Sequence, residues 1–275
     1  MPRRARILAL ALLTGCSSGG QSSDAGVAAV PSPTSTPPPP ASSVPSAPTP
    51  TGTLVGRVVY RGPRPRPATV PVERGREACG RSQTIDALVL SRDGGVSGAV
   101  VSLDGPPRGV SDAPSVVFDQ VGCRYVPHVA TATVGAPIEF RNSDDLLHNV
   151  HVRWIAPEPA AWFNLATPTK GMSVRRPVDR AGVARAVCDA GHTWMLAYLL
   201  VFDHPHHTVT DSEGRFRLSA LPSGARTVRV WHEGWEVVGD VGGRPELSLP
   251  IEQTTTVTIS PDAEASVEVE IRSSR

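Results

Sequence analysis

The 275-residue sequence predicts an all-β protein. Composition is the first reason: 25 Gly and 28 Pro with only 5% aromatic residues suit strands and turns better than helix bundles. Local runs are the second, as in Leu54-Val55-Gly56-Arg57-Val58-Val59-Tyr60, which is rich in β-branched residues and stops at Arg61-Gly62-Pro63. Alternation is the third: Phe216 and Leu218, then Val228 and Val230, fit half-buried strands. The length allows one or two domains, and a formal charge of +1 gives no argument for a nucleic-acid partner.

Residues 1–16 read as a targeting segment. Arg3, Arg4 and Arg6 precede a short apolar run, 7–13, too short to span a bilayer. Leu13-Thr14-Gly15-Cys16 resembles a bacterial lipobox, which implies cleavage before Cys16 and lipidation of that residue. An ordinary secretory signal with an incidental cysteine is the alternative. Both place the mature chain outside the cytoplasm, and the first predicts a lipid anchor in the bacterial cell envelope, facing periplasm or exterior. Residues 17–52, dominated by Ser, Pro, Thr, Gly and Ala, form a linker that buries too little apolar surface to order itself.

Residues 53–110 are expected to be strands joined by turns. After 54–60 come candidate strands at 84–90 and 98–103, separated by Arg92-Asp93-Gly94-Gly95, whose Asp-Gly pair is a hairpin signal.

The chemistry concentrates in residues 140–202. His148 lies in Leu146-Leu147-His148-Asn149-Val150-His151, and Cys188, His192 and Met195 share one short loop. A thiolate and two imidazoles make a trigonal set for one copper ion, with a thioether as weak axial ligand. His151, three residues after His148 on a strand, points to the opposite face. Thr133-Val134-Gly135-Ala136-Pro137-Ile138-Glu139-Phe140-Arg141-Asn142-Ser143-Asp144, the His148 segment, the strand leading into Cys188 and the closing strand 196–202 together resemble the cupredoxin family, amicyanin-like and plastocyanin-like members in particular. The resemblance implies a cupredoxin-like Greek-key β-sandwich over 111–203, copper held by His148, Cys188, His192 and Met195, and electron transfer to a redox partner protein. By the same resemblance the His192 edge, on an exposed loop, is the electron exit, with Trp194 and Leu196 as a small docking patch. Three residues separate Cys188 from His192 where amicyanin has two, and Gly191 makes the extra residue easy to absorb.

With Cys16 assigned to lipid and Cys188 to copper, Cys79 and Cys123 remain. An even remainder in an oxidising compartment suggests a disulfide, far from the metal, tying the N-terminal strands to the copper domain. Two free thiols are the alternative.

Residues 204–275 resemble carboxypeptidase-regulatory-like (transthyretin-like) β-sandwich repeats, through Thr210-Asp211-Ser212-Glu213-Gly214-Arg215-Phe216-Arg217-Leu218 and Leu221-Pro222-Ser223-Gly224. The opening strands of that family also have counterparts upstream, at Gly56-Arg57-Val58 and at 98–103. The copper segment is therefore either inserted in a split sandwich or followed by a separate one. His204, His206 and His207 are expected in a solvated turn, with a second metal site as the minor alternative. His128 is expected to bond locally. No hydrolase, nucleotide-binding or zinc-protease signature occurs, which argues against an enzyme. Two functions stay open: an envelope copper electron carrier, and a carbohydrate- or protein-binding module with a structural, stored or absent copper.

Overall fold

Runs of Val, Ile, Thr and Ala interrupted by Gly and Pro give 22 strands and one helical turn in the computed structural model, which describes residues 50–105 and 113–273. Cys16 and the linker up to residue 49 lie outside the described residues. Before the segment 111–203 come β1 (Thr51–Tyr60), β2 (Ala68–Pro71), α1 (Arg76–Cys79), β3 (Ser82–Ile85), β4 (Val89–Leu90), β5 (Val96–Ser97) and β6 (Val100–Leu103). Within it lie β7 (Val116–Gln120), β8 (Tyr125–Val126), β9 (Val129–Thr133), β10 (Pro137–Asn142) and β11 (His148–Ala156). β12 (Ala160–Thr167), β13 (Ser173–Pro177), β14 (Gly182–Val187) and β15 (Leu196–Phe202) complete it. The remainder holds β16 (His207–Val209), β17 (Arg215–Pro222), β18 (Gly224–His232) and β19 (Val237–Val241). It ends with β20 (Arg244–Leu247), β21 (Ile251–Ile259) and β22 (Glu264–Ile271).

Two sandwiches result. In the first, the sheet β13-β10-β7-β8 faces the sheet β12-β11-β14-β15-β9. Phe118 and Phe140 stack 5.1 Å apart between them, with Ile138, Val150, Val152 and Trp154 buried around them. Alternation along β11 puts His148, Val150, Val152 and Trp154 inward and turns His151 and Arg153 away. The core is not wholly apolar. Buried Asn142 donates to the carbonyls of Leu146 (2.8 Å) and Thr167 (2.7 Å), which fixes the 143–147 loop leading into His148.

In the second sandwich, the sheet β17-β1-β22 faces β16-β6-β18-β21 over Leu54, Val58, Leu103, Leu218, Val228 and Val230. β1 runs antiparallel to β17 and parallel to β22, while β6 lies between β16 and β18. The chain thus leaves this pair of sheets after β6, builds β7 to β15 elsewhere, and returns at β16. Gly56 is required where β1 passes under Phe216: a Cβ there would stand 2.4 Å from Phe216 Cζ and 2.4 Å from the Val267 carbonyl oxygen. Val100, Val129, Tyr198, Leu200 and Trp231 form a third apolar cluster between the sandwiches. No helix among the described residues is long and apolar enough to cross a membrane.

Two local expectations need correction. Residues 84–90 are not one strand: the extended run stops at Ile85, where Asp86 turns out to meet Arg124 at 2.8 Å, and only β4 resumes it. The His204–His207 run is not a solvated turn. His204 and His206 are buried, Phe202 stacks on His207 at 4.7 Å, and the His206 carbonyl accepts from Leu103 N. Stacking on Phe202 of β15 and backbone pairing with β6 carry this run inward, and among the described residues these imidazoles do not form a metal-holding group.

Candidate metal centre

The first donor stands where β11 begins. His148 is fully buried, and its Nε2–H donates to Asp144 Oδ2 at 2.9 Å. Asp144 is itself held by the backbone N–H of Gly122 (2.7 Å) and of Cys123 (2.8 Å). Burial works against the Asp144 carboxylate, yet the Cys123 N–H, His148 and the Gly122 N–H together hold its carboxyl below its ordinary value. This fixes the His148 tautomer and leaves Nδ1 as the nitrogen with a free lone pair. β14 delivers the second donor: Cys188 follows Val187, is fully buried, and accepts from Asn149 N at 3.3 Å. The third, His192, sits in a loop that absorbs its extra residue at Gly191, where φ is +94°.

The three inward atoms form a triangle. His148 Nδ1 and His192 Nδ1 are 3.0 Å apart, and Cys188 Sγ stands 3.9 Å from the first and 3.5 Å from the second. The point equidistant from all three lies about 2.0 Å from each, against bond lengths of roughly 2.0–2.1 Å to imidazole and 2.3 Å to thiolate for zinc, a first-row ion of similar size. The residues therefore fit a first-row metal ion, and their softness suits copper. Burial pushes the His192 imidazole down to about 4, with His148 adding to the effect, and lowers His148 as well, so both rings are neutral and able to ligate. Burial raises the Cys188 thiol, whose proton a metal would have to displace. Met195, the proposed axial donor, is buried in the same core cluster as Cys188, and its N–H closes the loop on the His192 carbonyl at 2.9 Å.

Residues far along the chain enclose this triangle. The Arg244 guanidinium, from the β19–β20 hairpin, donates to the carbonyls of Cys188 (2.9 Å), Thr193 (2.9 Å) and Met195 (3.1 Å). On the other side stands the β2–α1–β3 segment. Gly75 has φ +73°, and a Cβ there would lie 3.4 Å from His192 Nε2 and 3.0 Å from Leu146 Cδ2. Its bare backbone thus lies against the ring edge, and His192 is only 2% exposed.

Three expectations change accordingly. The His192 edge is not on an exposed loop, because Gly75 lies against it and Arg74 lies against the neighbouring Gly191. Trp194 is buried and donates Nε1–H to the Cys123 carbonyl at 2.8 Å, so it offers no docking patch. The Cys79–Cys123 disulfide is present, with Cα atoms 5.5 Å apart, but it is not far from the metal centre. Cys123 Sγ, an Asp144 oxygen and a His148 nitrogen all lie within 4.8 Å of one another. His151 faces outward and pairs with Asp189 at 2.7 Å. Cys16, the expected lipid site, lies outside the described residues. Sequence reasoning missed Asp144, Gly75 and Arg244. Only Asp144 left a local trace, as a carboxylate four residues before a candidate ligand.

No known family profile matches the sequence, and no curated protein does. Among solved structures, the chain is similar to amicyanin from Paracoccus versutus, at 19% identity and TM-score 0.29, over 37% of this chain and 97% of that one. It is also similar to a purple cupredoxin from Nitrosopumilus maritimus, at 17% identity and TM-score 0.28, over 32% and 99%. A copper-containing nitrite reductase from Thermus scotoductus SA-01 is similar at 24% identity and TM-score 0.27, over 38% of this chain but only 25% of the reductase. At these TM-scores the likenesses identify no ligand and no partner for this chain.

Proposed function

We propose that this chain is a copper-binding electron-transfer protein of the bacterial cell envelope, without catalytic activity of its own. The observation that carries the reading is the buried triangle of two imidazole nitrogens and one cysteine sulfur, sized for a first-row ion. His148, His192 and Cys188 would hold the ion, with Met195 as weak axial donor. Bound there, copper would supply one-electron redox chemistry.

The chain's own residues do the rest. Asp144 keeps a proton on His148 Nε2 and so presents Nδ1 inward. Arg244 ties both ends of the ligand loop through the Cys188 and Met195 carbonyls. The Gly75 backbone lies against the His192 ring and caps it, and Cys188 is fully buried. An electron passing to a redox partner protein by way of His192 would have to cross that cap. The lipid on Cys16 would hold the protein at the membrane.

Adding Cu(II) to the full-length chain and recording the visible spectrum tests this. An intense thiolate-to-copper band, lost in Cys188→Ser, is the expected result. A chain that binds copper without that band, or that binds only zinc, would refute the electron-transfer reading and leave a structural or storage role for the site.

A further inference from the structure

A cavity of about 400 Å3 lies between the two sandwiches, bordered by Met195 and Trp194. Its walls are largely apolar, with Ala87, Val126, Val129, Leu196 and Val209 contributing from both sandwiches. Tyr125 and Trp194 add aromatic surface. The size falls within the range of small-molecule sites, roughly 300–1,000 Å3, and such sites favour apolar walls with a few convergent polar groups.

Those polar groups are buried and acceptor-rich. Glu233 is 2% exposed and lines the cavity. Its Oε1 pairs with His128 Nε2, and His128 Nδ1–H donates to the Leu196 carbonyl at 2.8 Å. Its Oε2 has no partner at hydrogen-bond distance among the described residues, although the Tyr198 hydroxyl, whose pKa is raised by burial and then by Glu233, stands beside the carboxylate. A carboxylate oxygen buried without a donor carries a desolvation penalty. The neighbouring His232 is also buried and lines the same space. Its Nδ1–H donates to the Glu233 carbonyl at 2.7 Å, which leaves Nε2 as an acceptor. Two acceptors thus border a mostly apolar chamber.

Charge selects the occupant further. His128 already compensates Glu233, and Arg124 pairs with Asp86 at 2.8 Å beside the cavity. A cationic ligand would bring an uncompensated charge into a buried space. A neutral hydroxyl donor would satisfy Oε2 without doing so. We propose that the cavity is a binding site for a small neutral hydroxylated molecule of the phenol class, its O–H donated to Glu233 Oε2 and its ring against Tyr125 and Trp194.

Phenol, anisole and benzylammonium titrated separately into the metal-free full-length chain, followed by calorimetry and NMR, test the proposal. Phenol should bind, anisole should bind about tenfold more weakly for want of the donor, and benzylammonium should also be weaker. Glu233→Gln can turn an amide N–H toward the cavity and should weaken phenol about tenfold. Val126→Trp changes a half-exposed wall residue, leaves every acceptor in place and should reduce binding of all three. The proposal is overturned if phenol does not bind, if anisole or benzylammonium equals it, or if both variants bind phenol as the parent does. Because no metal is added, failure here leaves the copper reading untouched.

Discussion

Replacing Arg244 with alanine should loosen the metal centre from a distance of 49 to 56 residues along the chain. The side chain donates three hydrogen bonds of 2.9–3.1 Å to carbonyls at both ends of the ligand loop. A hydrogen bond to a charged group contributes ~1.5–3 kcal/mol. The guanidinium is 21% exposed, so water can replace part of what is lost, and the three together should amount to about 2–4 kcal/mol of loop stability. Outer partners of metal ligands typically change affinity by ~10–100-fold when removed. Copper affinity of Arg244→Ala, measured by competition with a chromophoric chelator, should therefore fall within that range, and Arg244→Lys should recover little because a point charge cannot span three carbonyls. An alanine variant with affinity and visible spectrum within twofold of the parent would refute the idea that the β19–β20 hairpin positions the ligand loop.

Three further outcomes follow from the same geometry. Asp144→Asn removes the carboxylate that fixes the His148 tautomer and should weaken copper binding by ~10–100-fold, read by the same competition; unchanged affinity would mean the pair is incidental. Replacing Cys79 and Cys123 by serine opens a link spanning 44 residues and should lower unfolding stability in denaturant by about 4 kcal/mol, and a loss below 1 kcal/mol would contradict that estimate. Burial pushes His192 from 6.5 to about 4 in the folded chain, so the unfolded state binds more protons between those values. Stability of the metal-free protein should be fully present above pH 6.5 and decline as pH falls toward 4, and equal denaturation midpoints at pH 7 and 4.5 would contradict this.

The convergence of His148, Cys188 and His192 was legible because they occupy two short segments whose residue types suit soft-metal chemistry, and β15 was legible as an unbroken apolar run. The enclosure was not. Gly75 reaches His192 and Arg244 reaches Cys188 through contacts that no periodicity encodes, and in the sequence each is one of many glycines or arginines. A family resemblance misled at the same spot: it implied an open His192 edge, whereas an added segment tied to Cys123 covers it. The histidine run 204–207 read as polar and exposed, but Phe202 lies within stacking reach of His207. The parallel pairing of β1 with β22 joins strands some two hundred residues apart, and neither strand's own pattern names its partner.

That pairing orders events in time. A chain emerging from its N-terminus first exposes β1, whose two neighbours, β17 and β22, do not yet exist. The contiguous stretch from β7 to β15 can meanwhile close its own two sheets, and it carries His148, Cys188 and His192 together. Arg244 arrives later, on β20, and only then can the ligand loop be tied at both ends. Between those moments the donors are assembled but the loop is slack. The hairpin is therefore the last contact to close over the loop, after every candidate donor is in place.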